Sequence, residues 1–188
     1  GKYGFGVADV SGKGIKSSLL MSKASSLYSC LSKTNFSAAE LLTQLNNEIC
    51  ETISRGMFVT MLIGISDTNK NELLLSSAGH EPPIIFDQNE KFTNFSESGP
   101  PLGIMPNTKY TQHSIPFKKS SMYIFTDGIT EIKNSKGEML GSEGFQNYIK
   151  KHKEKPNDER LEVIIDEILN SGHTQKDDLT IVVIDSKN

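Results

Sequence analysis

Residues 57–78 read MFVTMLIGISDTNKNELLLSSA, and the fold class follows from this segment more than from any other. Its first part, 57–66, is apolar and contains several β-branched side chains, which is typical of a strand. Residues 67–71 are polar and turn-forming, and residues 72–78 form a second apolar run. The pattern predicts a β-hairpin and therefore antiparallel sheet structure.

Upstream of the hairpin, the pattern changes from strand to helix. Residues 3–10 are apolar and punctuated by glycine, which predicts a buried strand, and SGKG at 11–14 predicts a turn. Between 15 and about 32, apolar residues recur at helical spacing. Ser37 and Glu40 form a capping box that opens a second helix, because the Ser oxygen can accept from the Glu N–H while the Glu carboxylate reaches back.

Downstream of the hairpin, strand signals come first and helical signals follow. The predicted strands are 83–86, 92–95, 110–115, 121–126 and 179–185, and the predicted helices are 143–151 and 159–169. Because strands and helices are largely segregated along the chain, we expect an α+β fold. Its form would be a β-sandwich of two mainly antiparallel sheets flanked by helices. The length fits a single domain over residues 1–188.

Composition excludes several functional classes. The chain carries 20 Lys+Arg against 23 Asp+Glu, a net charge of −3, which argues against a nucleic-acid-binding protein. A hydrophobic fraction of 36% argues against disorder, and no apolar run approaches the ~20 residues that span a bilayer. Cys30 and Cys50 lie in predicted helices and are not spaced as a metal-binding pair. A reduced, cytoplasmic protein is therefore expected.

Acidic residues stand next to three of the predicted strands. Asp9 lies at the end of the first strand, Asp127 directly follows a later one, and Asp177 and Asp178 precede the last. Carboxylates at the ends of buried strands repel one another and are costly to desolvate, and a hard divalent cation relieves both effects. Oxygen-only ligands suit Mg²⁺ or Mn²⁺ rather than zinc. Asp is also common at strand ends because it hydrogen-bonds its own backbone, so the metal interpretation depends on the three sites together.

Other catalytic motifs fail on spacing. SGKG at 11–14 is not a P-loop, because Val7 stands where a glycine is needed and Gly14 where Ser or Thr is needed. GFG at 4–6 is not a dinucleotide fingerprint, because Asp9 occupies the third glycine position. No Gly-x-Ser-x-Gly nucleophile motif occurs.

The histidines give weaker signals than the acids. His80, in AGHEPP, is predicted to anchor a turn rather than to act as a general acid. His113, His152 and His173 follow no pattern and are expected at the surface. Glu131, four residues after Asp127, is expected only to cap or solvate a helical turn.

Six short segments, taken together and in this order, form a specific set. They are ADVSGKG at 8–14, MFVT at 57–60, AGHEPP at 78–83, GPPLGI at 99–104, FTDGITE at 125–131 and DDLT at 177–180. The set resembles the SpoIIE/RsbU-type branch of the PPM family, the metal-dependent protein serine/threonine phosphatases of bacterial signalling. This resemblance implies a central β-sandwich flanked by helices.

The resemblance also implies roles for individual residues. Asp9 resembles the carboxylate that bridges two Mg²⁺ or Mn²⁺ ions, with the Val10 carbonyl as a further ligand. Asp127 and Asp177 resemble the acids that hold the second ion, and Asp178 is assigned to orienting a metal-bound water. Asp9, Asp127 and Asp177 are thus the implied catalytic residues. A metal-activated water would attack phosphorus in line, without a phosphoenzyme intermediate.

Further implications concern the substrate and the rest of the protein. The expected substrate is phosphoserine or phosphothreonine on a signalling protein such as an anti-sigma-factor antagonist. The family has an upstream strand with a Gly-Gly-Asp-type motif, and we expect this chain to lack that strand as the C-terminal part of a longer protein with an upstream sensor domain. Weak metal binding and a homodimer formed across an open sheet edge would follow.

Two other functions compete with the phosphatase. One is an inactive phosphatase fold that serves as a regulatory or binding module, and the other is a two-metal phosphohydrolase of small molecules. The spacing of the acids by itself does not separate these alternatives.

Overall fold

The computed structural model describes residues 1–34, 37–53, 56–134, 136–172 and 178–186, with only the backbone described at 157 and 158. The chain forms two compact units. Unit 1 comprises Gly1–His80 and Ser96–Lys118, and unit 2 comprises Glu81–Phe95 and Lys119–Ser186. In chain order the elements are β1 (Lys2–Val10), α1 (Ile15–Leu31), α2 (Ala38–Cys50), β2 (Val59–Asp67), β3 (Glu72–Ala78), β4 (Ile84–Asp87), β5 (Phe92–Asn94), β6 (His113–Pro116), β7 (Ser120–Phe125), α3 (Asp127–Thr130), α4 (Gly141–Lys151), α5 (Asn157–Asn170) and β8 (Ile181–Asp185).

Each unit contains one four-stranded sheet, with strand order β1-β2-β3-β6 in unit 1 and β5-β4-β7-β8 in unit 2. Every pairing within the two sheets is antiparallel. Two antiparallel sheets with accompanying helices confirm the predicted α+β class. Within the described residues, no helix is both long enough and apolar enough to cross a membrane.

The hairpin predicted for residues 57–78 is confirmed. β2 pairs with β3 up to the final pair, Asp67 and Glu72. The Asp67 carboxylate accepts hydrogen bonds from the N–H groups of Asn69 (3.1 Å) and Lys70 (3.3 Å), and Asn71 adopts a positive φ of 50°. Asp and Asn are favoured in such turns because of this local hydrogen bonding and their tolerance of left-handed backbone.

The second helix begins where the capping residues predict. The Ser37 side chain accepts a hydrogen bond from the Glu40 N–H at 3.3 Å, which satisfies one of the free donors at the start of α2. The helix buries a continuous apolar face in the core of unit 1, formed by Ala38, Leu41, Leu42, Leu45 and Ile49. Burial of this face, rather than intrinsic propensity, stabilises a helix of only 13 residues.

The prediction that residues 3–10 form a buried strand is wrong with respect to burial. β1 is the end strand of its sheet, and among the described residues its ladder partner is β2. None of its nine residues is buried, and Tyr3 is 59% exposed. The Phe5 ring lies over Gly64 of β2, so closely that a Cβ added to Gly64 would be 2.0 Å from the ring.

Unit 2 has its own aromatic core. Phe145 of α4 is fully buried and meets two rings of β7 edge-on, with centroid distances of 5.0 Å to Phe125 and 6.2 Å to Tyr123. Arg160 of α5 lies over the Tyr123 ring, with its guanidinium carbon 5.5 Å from the centroid. The same guanidinium donates to both carboxylate oxygens of Asp185, at 3.1 and 3.2 Å, which ties α5 to β8.

His152 corrects another expectation, because it is buried rather than at the surface. It is the C-cap of α4 and is only 8% exposed. Its Nε2 lies 3.1 Å from a carboxylate oxygen of Glu167, and Lys151 lies 2.7 Å from the same oxygen. The ring thus lies against α5, a contact that the local sequence pattern does not reveal. His173 lies outside the described residues.

Candidate metal-binding sites

In unit 1, Asp9 and Val10 occupy the last two positions of β1. They pair with Thr60 and Val59 of β2, and the Asp9 side chain is exposed. The chain then turns sharply, since Ser11 exchanges hydrogen bonds with Phe58 through its N–H (3.0 Å) and its hydroxyl (2.8 Å). This turn leads directly into α1. It leaves the Asp9 carboxylate and the Val10 carbonyl at the end of the sheet, where a cation ligand is expected to lie.

His80 lies in the same unit and is held in place by its neighbours. Its Nδ1 is 3.2 Å from the hydroxyl of Thr60, the residue that pairs with Asp9. The preceding Gly79 adopts a φ of +71° and donates its N–H to the Ser98 hydroxyl at 2.8 Å. A Cβ at Gly79 would lie 2.6 Å from Pro101, so only glycine fits this turn. The buried, hydrogen-bonded ring fits the predicted anchoring role.

In unit 2, the structure places the backbone of Asp178 beside Asp127. Asp127 follows β7 and begins the short helix α3, and Asp178 precedes β8. Both side chains are exposed. A Cβ built on Gly128 would lie 2.4 Å from the carbonyl oxygen of Asp178, so the two chain segments approach too closely for a side chain at position 128. Asp177, the remaining predicted acid, lies outside the described residues.

Glu81 is an acid of unit 2 for which the sequence motifs predicted no role. Burial raises the pKa of its carboxyl above the ordinary value of 4.5, and the nearby charges of Asp127 and Glu131 raise this pKa further. Three carboxylates from two separate chain segments therefore repel one another in this unit. The only sequence signal was the position of Glu81 inside the AGHEPP segment. Its neighbours, Asp127 and Glu131, are about 50 residues away along the chain.

The donor set fits a hard divalent cation. All the donors are oxygens, and a cation would relieve the repulsion among Glu81, Asp127 and Glu131. In the part of the chain that the structure describes, no three His, Cys, Asp or Glu side chains converge into a ready-made metal site. The acids of unit 2 are therefore close enough to interact electrostatically without already forming a coordination sphere.

Replacing Glu81 with glutamine is expected to change how stability depends on pH. A carboxyl whose pKa is raised by folding stabilises the protein below its unfolded pKa, and that contribution is lost as pH rises through the folded pKa. Without metal, Glu81→Gln should therefore melt above wild type at pH 7.5. At pH 4 the two proteins should melt at the same temperature. Thermal unfolding in EDTA at both pH values measures this.

The matched control is Glu97→Gln, which neutralises an exposed acid of unit 1. It should leave the difference between the two pH values as in wild type. If Glu81→Gln melts below wild type at pH 7.5, the electrostatic strain assigned to Glu81 is absent.

The similarity to known proteins covers nearly the whole chain. Residues 1–187 match the family model of Stage II sporulation protein E (SpoIIE). The chain is also 30% identical, over 184 residues and 96% of its length, to the phosphoserine phosphatase RsbU of Bacillus subtilis (strain 168). It spans 55% of RsbU, or about half of that relative's length.

Solved structures show the same fold at low sequence identity. The SiaA-PP2C domain of Pseudomonas aeruginosa superposes with a TM-score of 0.85 at 19% identity, over 97% of this chain and 75% of that one. RsbX, solved in complex with magnesium, has a TM-score of 0.71 at 17% identity, over 97% of this chain and 80% of RsbX. The fold is therefore that of PP2C-type phosphatases. Together with the family match over residues 1–187, this shows that the chain belongs to the SpoIIE family.

Proposed function

We propose that this protein is a metal-dependent phosphatase that hydrolyses phosphoserine or phosphothreonine on a signalling protein, such as a phosphorylated anti-sigma-factor antagonist. The observation that carries the proposal is the backbone of Asp178 held beside Asp127 in unit 2. Its context is a SpoIIE-family chain that is 30% identical to a phosphoserine phosphatase.

We propose that five residues hold Mn²⁺ or Mg²⁺. They are Asp9 and, through its carbonyl, Val10 in unit 1, Asp127 and Asp178 in unit 2, and Asp177, which lies outside the described residues. Oxygen donors suit either ion, and RsbX was solved with magnesium. Two such ions, when bound, would lower the pKa of water and neutralise charge on the phosphoryl oxygens.

The protein's own residues position the reactants. The carboxylates of Asp9, Asp127 and Asp177 would hold the cations in place beside the phosphoryl group. Asp178 would accept a hydrogen bond from the attacking water and orient it. Phosphoryl transfer requires mainly positioning and charge neutralisation, so no side-chain nucleophile is needed. In-line attack on phosphorus then releases the serine or threonine hydroxyl and inorganic phosphate.

The proposal extends to the larger protein. We propose that residues 1–188 form one catalytic domain of a cytoplasmic signalling protein, preceded by a sensor domain, and that the domain dimerises. RsbU is nearly twice as long as this chain, which supports additional domains.

The deciding experiment measures phosphate release from a phosphoserine peptide by the purified full-length protein, which includes the residues upstream of Gly1. We expect release with Mn²⁺ or Mg²⁺, none after EDTA treatment, and recovery when Mn²⁺ is restored. A nucleoside triphosphate assayed in parallel tests for a small-molecule phosphohydrolase. Release that is insensitive to EDTA, or hydrolysis of the nucleotide without hydrolysis of the peptide, contradicts the proposal.

A further inference from the structure

Thr126 lies between β7 and α3 and does not make the hydrogen bond expected at its position. It is the N-cap residue of α3, where a threonine hydroxyl usually accepts from an N–H of the first helical turn. The Thr126 side chain makes no capping bond, although the residue is only 8% exposed. Its hydroxyl instead makes hydrogen bonds to another chain segment.

The hydroxyl is directed at the segment that leads into β8. Thr126 Oγ1 donates to the carbonyl oxygen of Asp178 at 3.3 Å and accepts from the N–H of Thr180 at 3.2 Å. The backbone N–H of Thr126 adds a third bond, to the Thr180 carbonyl at 3.2 Å. The regular β7–β8 ladder ends one residue earlier, at Phe125 and Ile181. Thr126 thus continues the pairing with its side chain.

Gly128, the residue after Asp127, lies next to the same Asp178 carbonyl group. Gly128 is buried, and its missing Cβ leaves the space that the Asp178 carbonyl occupies, 2.4 Å from where a Cβ would lie. The Asp178 carbonyl therefore accepts a hydrogen bond from Thr126 and occupies space that is free only because position 128 lacks a Cβ. The hydrogen bond and the close fit together restrict the backbone of Asp178 more than the hydrogen bond would alone.

We propose that Thr126 is a positioning residue that sets the location of Asp178 relative to Asp127, and thereby the spacing of two metal ligands. This inference rests on the proposed function, in which both acids hold the cation. Groups that orient metal ligands typically change metal affinity by about 10- to 100-fold when they are removed. A purely structural threonine would change stability without that effect on affinity.

The test compares Thr126→Val, which keeps the side-chain shape without the hydroxyl, with Thr126→Ser, which keeps the hydroxyl. Thr43→Val is the matched control. Thr43 Oγ1 also donates to a carbonyl (Ala39, 2.9 Å) and accepts from an amide (Tyr110, 3.3 Å), but it lies in unit 1 on α2. The control therefore loses the same two types of hydrogen bond away from Asp127 and Asp178. Thr126→Ala serves if the valine variant does not fold.

Two measurements that do not depend on turnover decide the matter. The first is the dissociation constant for Mn²⁺ by calorimetry, and the second is amide hydrogen exchange at Thr180 in metal-free protein. We expect Thr126→Val to raise the Mn²⁺ dissociation constant about 10-fold or more and to speed exchange at Thr180. Thr126→Ser and Thr43→Val should stay within about threefold of wild type in Mn²⁺ affinity.

The outcomes separate this inference from the proposed function. Equal Mn²⁺ affinity in wild type and Thr126→Val overturns the role of Thr126 and leaves the metal centre standing. If wild type does not bind Mn²⁺ at all, the proposed metal centre is overturned, and the inference that rests on it is overturned too. A similar loss of affinity in Thr43→Val shows a general effect of lost hydrogen bonds and also overturns the role of Thr126.

Discussion

Asp127→Asn is expected to reduce phosphate release from a phosphoserine peptide by more than about 100-fold. Loss of a group that only orients a metal ligand costs about 10- to 100-fold, so loss of a ligand's charge should cost more. Asn keeps the shape of the side chain, and position 127 is exposed, so the fold should be retained. Neutralising Asp127 also removes one of the charges that raise the pKa of Glu81, so the melting temperature should not fall.

Asp166→Asn provides the matched control, because Asp166 is an exposed acid of the same unit on α5. It should retain full activity and full Mn²⁺ dependence. The assay is initial-rate phosphate release at saturating Mn²⁺, together with a thermal melt of each variant. An Asp127→Asn protein that keeps wild-type activity would remove Asp127 from the catalytic machinery and contradict the proposed function.

Gly128→Ala is expected to damage both metal binding and stability. The new Cβ would lie 2.4 Å from the Asp178 carbonyl oxygen, which is backbone and cannot rotate away as a side chain would. The segment at 178 must therefore move by close to 1 Å, and a displacement of that size at a catalytic group costs on the order of 100-fold in rate. The enforced contact should also lower the free energy of unfolding by about 1–3 kcal/mol.

The control for this effect is Gly4→Ala, on the exposed strand β1. A Cβ at Gly4 meets no atom within 4 Å, so the same chemical change is made without the collision. Denaturant unfolding and Mn²⁺ calorimetry should show a wild-type-like Gly4→Ala and an impaired Gly128→Ala. If Gly128→Ala binds Mn²⁺ as tightly as wild type, the close approach at Asp178 has no part in forming the metal site.

Local chemistry explains why parts of the fold were predictable. The turn between β2 and β3 forms through hydrogen bonds that the Asp67 carboxylate accepts from backbone N–H groups two and three residues away. The start of α2 depends on Ser37 and an amide three residues on. Interactions of this range are contained in a short window of sequence, so the residue types alone specify them.

Burial was less predictable, because it depends on position within the sheet. Residues 3–10 are apolar enough for a central strand, yet β1 is an end strand in the described sheet. Conversely, His152 has no pattern in the sequence, yet it is buried and lies 3.1 Å from a carboxylate oxygen of Glu167 on α5. Exposure depends on how the elements pack together, which a local pattern does not contain.

In the candidate metal-binding sites, motifs identified some residues and only the structure identified others. Sequence motifs singled out Asp9, Asp127, Asp177 and Asp178 as acids at strand ends. The family match over residues 1–187 confirms the family, and the roles of these acids stay predictions. The contributions of Glu81 and Thr126 escaped detection, since neither residue type is unusual where it stands. Their importance comes from the approach of segments about 50 residues apart, as in the contact between Thr126 and Asp178.

The amino-acid sequence by itself therefore determined the α+β class, the central hairpin, the start of α2 and the family. These features follow from side-chain periodicity, from hydrogen bonds over a few residues and from ordered motifs. Only the tertiary structure decided that no residue of β1 is buried, that the charge of Asp127 raises the pKa of Glu81, and that Thr126 donates a hydrogen bond to the Asp178 carbonyl beside Gly128. The physical reason is that electrostatic repulsion, van der Waals contact and hydrogen bonding act over a few ångströms, and folding alone brings distant segments within that range.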